Sequence, residues 1–469
     1  MSIPAESYAL NTLESVSEDL PQRVAGYTSE ILLVTDAEAE AKQIAGHLAT
    51  AGYKVNIAVY DGENIKKTPK APPLAILCHF KDFIERIPVI FVALKEYYSP
   101  KTPPIIAALS RPGNIDKSIF DSVIFYPAHP SQIAARVDFL VRLQAMEREI
   151  NLRIETLSED FEITHALQED TLRAPYQILF IGKATPEFMV VINALQKRNV
   201  EVVAAFTSFS AFDYLHQRTF DAVVMNALEG MDSALTIGDV MRRNSRLYHV
   251  PTFLLIDDNS DYHDQAYKKG AHDIITPQNS EDEIAGRVLE LANYHRIHSQ
   301  LKREYETIGG DRCLDMASKT FNNPFFSAHL ARAHKHHTLA GTSLSIVGIH
   351  LFPDRRATHS PDKVRHAMDK VGEILKNMVR MQDAVARMHH DLYMISFPEM
   401  PLIHAQKVID RVTDIISHTA FDPGIQGLPP LSMHLATAQT DIKNHDSSDS
   451  MIQQLVSELS QNTHRNTPE

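Results

Sequence analysis

The sequence predicts an α/β protein: two doubly wound parallel-sheet domains in tandem, then a third α/β domain with a different order of elements. Three observations carry this. Short β-branched runs alternate with longer amphipathic stretches, the mark of βα units around a parallel sheet. One order of features occurs twice, its endings "IAARV" and "IAGRV" starting at Ile133 and Ile284, 151 residues apart, which is a domain-sized duplication rather than a solenoid period. From about Asp311 the pattern changes.

The first copy runs from "ILLV" (31–34) through "GYKVNIAVYD", "LAILC" (74–78) and "PIIAAL" (104–109) to "IFYPAHPSQIAARV" (124–137). The second runs from "ILFI" (178–181) through "NVEVVAAF", "AVVMN" (222–226) and "PTFLLI" (251–256) to "IITPQNSEDEIAGRV" (274–288). Each ends in a Gly- and Pro-poor, charged helical stretch, "ARVDFLVRLQAMEREINLRIETL" and "GRVLELANYHRIHSQLKREYETI", read as a last helix extended into a connector. In the third part "DRCLDMASKTFNNPFFSAHLARAHKH" reads as loop then helix, 342–352 as a buried strand and 361–380 as an amphipathic helix. "DAVARMHHDLYMISFP" reads as two strands with a tight turn at the histidines, 404–418 as a helix and 431–438 as a strand. The expected domains are 29–150, 174–298 and 306–442, with 443–469 a polar tail, disordered apart from a short amphipathic piece near "MIQQLVSEL" and able to serve as a docking peptide.

Composition narrows the function. A formal net charge of −13 and no basic stripe argue against nucleic acid as the main partner. Cys78 and Cys313 are far apart in sequence, so neither a disulfide framework nor a cysteine metal site is expected, and a reducing cytoplasm fits. No apolar run approaches the ~20 residues of a membrane helix, and the first 20 residues lack the pattern of a signal peptide.

The two copies resemble receiver domains of response regulators, that is, flavodoxin-like folds. A receiver phosphorylates an Asp at the end of its third strand, holds magnesium with an acidic pair after the first, and reads the phosphoryl group with a Thr/Ser and a Lys. In the first copy these positions fall on Cys78, Thr35-Asp36, near Leu109, and Tyr126. In the second they fall on Asn226, Ile181-Gly182, Ile256 and Thr276. Neither Cys78 nor Asn226 forms an acyl phosphate, so both copies are expected to be pseudo-receivers that serve in dimerisation and docking. Asp232 and Asp257 lie near strand ends, leaving a shifted acceptor open.

The third part resembles a GGDEF domain, the diguanylate cyclase fold, which gives the chain a PleD-type receiver–receiver–GGDEF layout over roughly residues 29–440. The support is Arg380 and Asp383, an R-x-x-D, followed after five residues by "HHDLY" where the family has GG[D/E]EF. Here His389 and His390 replace the two glycines, Asp391 keeps a metal-binding carboxylate, and Leu392 and Tyr393 follow. Gly348 and His350 replace the acids of the family's D-x-D, and Arg356-Ala357 its guanine-reading Asn-Asp. One carboxylate rarely holds two magnesium ions, so the resemblance implies a degenerate domain, no catalytic residues and no required cofactor.

The R-x-x-D implies a ligand, cyclic di-GMP. An arginine can donate two hydrogen bonds to the guanine O6/N7 edge, and an aspartate can accept from N1 and N2. Arg411, and more weakly Arg332, are further expected contacts. The bland alternative is a surface ion pair worth ~0–1 kcal/mol. The other histidines, "HKHH" (334–337), and the 389–390 pair are expected to hold no metal, because adjacent histidines point in different directions. Family resemblance further implies a homodimer and an adaptor that recruits protein partners at a cell pole, for regulated proteolysis in cell-cycle control, with no membrane insertion. A pure scaffold and a residual cyclase remain the rival readings.

Overall fold

The computed structural model describes residues 30–466 apart from 51–52, 63–64, 67, 71, 82–83, 100–101, 110–119, 126–127, 166–173, 229, 245, 258–259, 354–359 and 422–429. The expectations for the first 20 residues, for Tyr126 and for Arg356-Ala357 lie outside the described residues. The chain divides into two compact units, Glu30–Leu143 with Gln168–Gln300, and Gln144–Leu167 with Leu301–Glu469.

The first unit holds two sheets. The strands of one are β1 (Glu30–Thr35), β2 (Lys54–Tyr60), β3 (Ile65–Lys66), β4 (Ala75–Phe80), β5 (Ile105–Leu109) and β6 (Ser122–Phe125), in the order β3-β2-β1-β4-β5-β6. Only the short edge strand β3 is antiparallel. The other sheet contains β7 (Tyr176–Ile181), β8 (Val200–Ala205), β9 (Ala222–Asn226), β10 (Thr252–Leu255) and β11 (Asp273–Ile275), all parallel, in the order β11-β10-β9-β7-β8. With β3 set aside, both sheets have the 2-1-3-4-5 order of doubly wound, flavodoxin-like domains. Central strands such as β4 are buried at every residue, because helices cover both faces.

The repeated "IA-x-RV" ending has a packing role. Arg136 of the first copy and Arg287 of the second both turn to the fully buried carboxylate of Asp273, at 3.3 and 3.5 Å. Gln132 Nε2 donates to the same carboxylate at 2.8 Å. A buried anion must be paired and hydrogen-bonded, and here both copies supply the donors.

The second unit has one mixed sheet of β12 (Leu314–Asp315), β13 (Thr320–Asn322), β14 (Leu344–Pro353), β15 (Ala384–His389), β16 (Leu392–Pro398) and β17 (Met433–Asp441), in the order β12-β13-β15-β16-β14-β17. Side chains alternate along β14. Val347, Ile349 and Leu351 enter a core with the Pro361–Met378 and Leu402–His418 helices. Gly348 faces the Ser448–Asn466 helix instead.

Two expectations are corrected. The loop before Asn323 contains the β12–β13 hairpin. The polar tail is a 19-residue helix, Ser448–Asn466, packed on β14 and β17. Met451, Leu455 and Leu459, each four residues apart, make a narrow buried stripe that polar residues hide in the composition.

Candidate functional site

The receiver positions follow from strand register. Thr35 of β1 pairs with His79 of β4, and Ile181 of β7 pairs with Met225 of β9. The copies match where the Leu74 N–H donates to the Glu30 carbonyl as the Asp221 N–H does to that of Gln177, so the residue equivalent to Asn226 is His79, whose ring contacts Thr35 as Asn226 adjoins Gly182. The acceptor position of the first copy is therefore His79, one residue beyond the expected Cys78, which corrects that placement. Cys78 lies two residues inside the strand, and burial pushes its thiol up to about 12. The conclusion about chemistry is unchanged, since buried His79 has no carboxylate to form an acyl phosphate. Asn226 donates from Nδ2 to the Lys183 carbonyl at 3.1 Å and to Thr185 Oγ1 at 3.3 Å. Those bonds occupy the amide at the end of the strand. Asp36 accepts from the Lys81 backbone N–H at 2.8 Å.

The cyclase positions lie on β14 and the β15–β16 hairpin. A side chain at Gly348 would meet Leu459 Cδ1 at 2.7 Å, so the place of the family's first metal acid is filled by the C-terminal helix. Tyr393 is fully buried and donates to the Met368 carbonyl at 3.0 Å, which makes it a core residue. Leu392 begins β16 opposite His350. The residues here do not fit magnesium: Asp391 is the lone carboxylate among these positions, surrounded by imidazoles.

Those imidazoles do not diverge as expected. The register slips between Arg387 and His389, a bulge at the tip of β15. His389 Nδ1 then lies 3.1 Å from Asp391 Oδ1, His390 Nε2 3.4 Å from Oδ2, and His350 Nε2, reaching over from β14, 3.1 Å from Oδ2. Partial burial pushes the Asp391 carboxyl up, but hydrogen bonds from His389 and His350 outweigh it and hold it below the usual range. "HKHH" behaves differently: His334 and His337 are buried on the Asn323–Ala340 helix, bonded to the His445 carbonyl and to Thr342 Oγ1.

Arg380 and Asp383 share the turn between the Pro361–Met378 helix and β15. The Asp383 N–H donates to the Arg380 carbonyl, closing the turn. The Asp383 carboxylate accepts from the Arg380 backbone N–H at 2.8 Å and from its Nη2 at 2.8 Å. Nη2 also reaches the Pro398 carbonyl at 3.1 Å. The Asp383 side chain is 1% exposed and that of Arg380 31%, so this is not the surface ion pair of the bland alternative. Burial pushes the Asp383 carboxyl up, and Arg380 opposes it.

The other two arginines are committed differently. Arg411 donates from Nη2 to the Met378 carbonyl at 3.1 Å, while its buried Nε has no hydrogen-bond partner among the described residues. Arg332 is tied to the Pro130–Phe161 helix through Glu159 at 2.8 Å and Asp160 at 3.0 Å. The same helix touches the R-x-x-D turn, because Arg153 Nη2 donates to the Gln382 carbonyl at 2.9 Å. Arg153 is itself buried, ion-paired to Glu149 and over the ring of Tyr305. Sequence reasoning missed Arg153, since nothing local marks a residue 229 positions away as a neighbour.

No family model matches the chain, and no curated protein matches it. Solved structures do. It is similar to the GGDEF domain of DgcB from Caulobacter crescentus in complex with c-di-GMP, at 13% identity over 33% of this chain and 92% of that one, TM-score 0.30. It is similar to the diguanylate cyclase SiaD in complex with its activator SiaC from Pseudomonas aeruginosa, at 15% identity over 36% and 65%, TM-score 0.31. It is also similar to a response regulator from Thermotoga maritima, at 24% identity over 25% and 98%, TM-score 0.23. These are likenesses of fold; the fold class rests on the strand orders above. No helix of the described residues is long and apolar enough to cross a membrane.

Proposed function

We propose that this chain is a non-catalytic cyclic di-GMP effector, reading the ligand through Arg380 and Asp383 and passing binding on to protein partners. The observation that carries this reading is the R-x-x-D turn: donor and acceptor lie side by side, with the guanidinium at the surface. The ligand-free pair satisfies itself, so binding is an exchange. Guanine O6 and N7 take over from Asp383 as acceptors for Arg380, and guanine N1–H and N2–H take over from Arg380 as donors to Asp383. Each hydrogen bond broken has a replacement, but neutral guanine takes the place of the cation beside buried Asp383, so the exchange carries a cost that the ligand's remaining contacts offset. The cavity beside Gln382, bounded by Arg148, Glu149 and Glu399, has about 10 Å³ of free volume, enough for one water. The ligand therefore engages the exposed edge of Arg380. Arg411, with its spare Nε–H, is the nearest expected helper in the family frame; Arg332 would first have to leave Glu159 and Asp160.

Loss of the first metal acid, with Leu459 in its space, supports the non-catalytic reading. The contact from Arg153 to Gln382 supports relay to the connector helix. A resemblance to PopA, a degenerate PleD paralogue, implies the finer role: a homodimeric, pole-localised adaptor that delivers a cell-cycle regulator to a protease.

A scaffold reading is favoured by one specific observation, the burial of Asp383, which lets the R-x-x-D act as a structural pin. Calorimetric titration of cyclic di-GMP into the full chain separates the two. The expected result is micromolar or tighter binding, abolished in Arg380→Ala while the fold, read by circular dichroism, persists. Absence of binding by the native chain leaves the scaffold. Production of cyclic di-GMP from GTP and magnesium would overturn the non-catalytic reading.

A further inference from the structure

We propose that the tip of the β15–β16 hairpin, where the cyclase metal site is missing, binds a borderline divalent transition metal, zinc being the expected ion. The ligands are His350, His389, His390 and Asp391. Among the described residues, His389, His390 and Asp391 are the group whose ligand atoms converge, all within 4.8 Å of one another. His350 Nε2 adds a fourth atom, 3.1 Å from Asp391 Oδ2.

The spacing suits the ion. Zinc bonds to imidazole nitrogen and carboxylate oxygen are about 2.0–2.1 Å, so adjacent ligands of a tetrahedral site stand about 3.3 Å apart. His350 Nε2 and His390 Nε2 stand 3.1 and 3.4 Å from Asp391 Oδ2, and His389 Nδ1 stands 3.1 Å from the other oxygen, Oδ1. The donor set excludes magnesium, which demands oxygen ligands. Imidazole with one carboxylate favours zinc, copper or nickel over the hard cations.

The backbone under these ligands is fixed. Arg387 Nη2 donates to the His390 carbonyl at 2.9 Å, and Arg387 is itself held by Asp369 at 2.6 Å. The Leu351 N–H donates to the Asp391 carbonyl at 2.8 Å, tying the turn to the strand that carries His350. Such outer contacts orient the ligands before an ion arrives. His389 and His390 are 66% and 68% exposed, so an ion enters from solvent without opening the fold. The site needs neither Arg380 nor Asp383, and stands whether or not cyclic di-GMP is the ligand there.

The test is cobalt titration of the full, tag-free chain followed by visible absorption, then displacement by zinc against a chromogenic chelator. The expected result is one equivalent of Co²⁺ giving intense tetrahedral d–d bands that Zn²⁺ abolishes. His389→Ala and His350→Ala should each weaken zinc binding at least about tenfold, the scale on which even outer-shell losses act. A His336→Ala control, outside the group, should leave binding unchanged. Absence of a saturable cobalt spectrum, or equal affinity in native, His389→Ala and His350→Ala proteins, would overturn the proposal.

Discussion

Arg380 and Asp383 are the residues on which most depends, and their asymmetry makes a prediction. Arg380→Ala strands a buried carboxylate without its cation, a loss of about 3–5 kcal/mol on the scale of broken buried pairs. Asp383→Asn leaves a neutral acceptor in place and should lose only about 1–2 kcal/mol. The Asp383 carboxyl is already pushed above its ordinary value by burial. A folded-state pKa above the unfolded one gives stability that is present at low pH and lost as pH rises through the folded value. Removing Arg380 raises that value further, so the defect of Arg380→Ala should grow from pH 5 to pH 8. Urea midpoints of both variants at the two pH values check this; equal losses at both would show that Asp383 does not carry the charge. The R-x-x-D was legible in the sequence because its spacing is local. The convergence of His350, His389 and His390 on Asp391 was not, because it needs the bulge and a strand 41 residues away.

At the scale of elements, the strands were legible and their ends were not. Buried apolar runs announce β4, β9 and β14, yet a one-residue difference in where β4 ends moved the acceptor position from Cys78 to His79. The C-terminal helix was hidden because five apolar residues in 19, three of them in the buried stripe, do not outweigh a polar composition, although packing on β14 and β17 is enough to order it. That helix yields the next prediction. Gly348→Asp, which places an acid where the GGDEF pattern has one, drives a side chain into Leu459 and buries a charge, so it should destabilise by about 3 kcal/mol or more without producing GTP turnover. Leu459→Ala in the same chain should recover part of the loss, a coupling that a double-mutant cycle by thermal melting reads directly. Additive losses would mean that the two residues do not meet.

At the scale of the whole molecule, each unit carries histidines that fold in the neutral form. In the first, burial pushes His272 and His295 down to about 4, and the Thr252 N–H donates to His272 Nδ1 at 3.1 Å, a bond that protonation removes. In the second, burial pushes His337 down to about 3, within the helix whose last turn it closes through Thr342 Oγ1 at 2.7 Å. A folded-state pKa below the unfolded 6.5 means that the unfolded chain binds more protons in between. This stability is complete above pH 6.5 and drains as pH falls towards 4 in the first unit and 3 in the second. At pH 5 each histidine should already have lost about 2 kcal/mol. Carboxylates held low, such as Asp391, act in the same direction nearer their own range. Asp383 and Glu399 of the second unit, pushed up by burial, Glu399 to about 8, instead stabilise that unit as pH falls and oppose His337, so loss between pH 6.5 and 5 is a histidine signature in the first unit. The denaturation midpoint of the first unit should therefore fall from pH 7 to pH 5, and His337→Gln should tilt the second unit towards greater stability at pH 5 while leaving the dependence of the first unchanged. A flat profile in the first unit over this range would mean that His272 and His295 gain solvent or partners when charged, and that its core does not exclude the imidazolium.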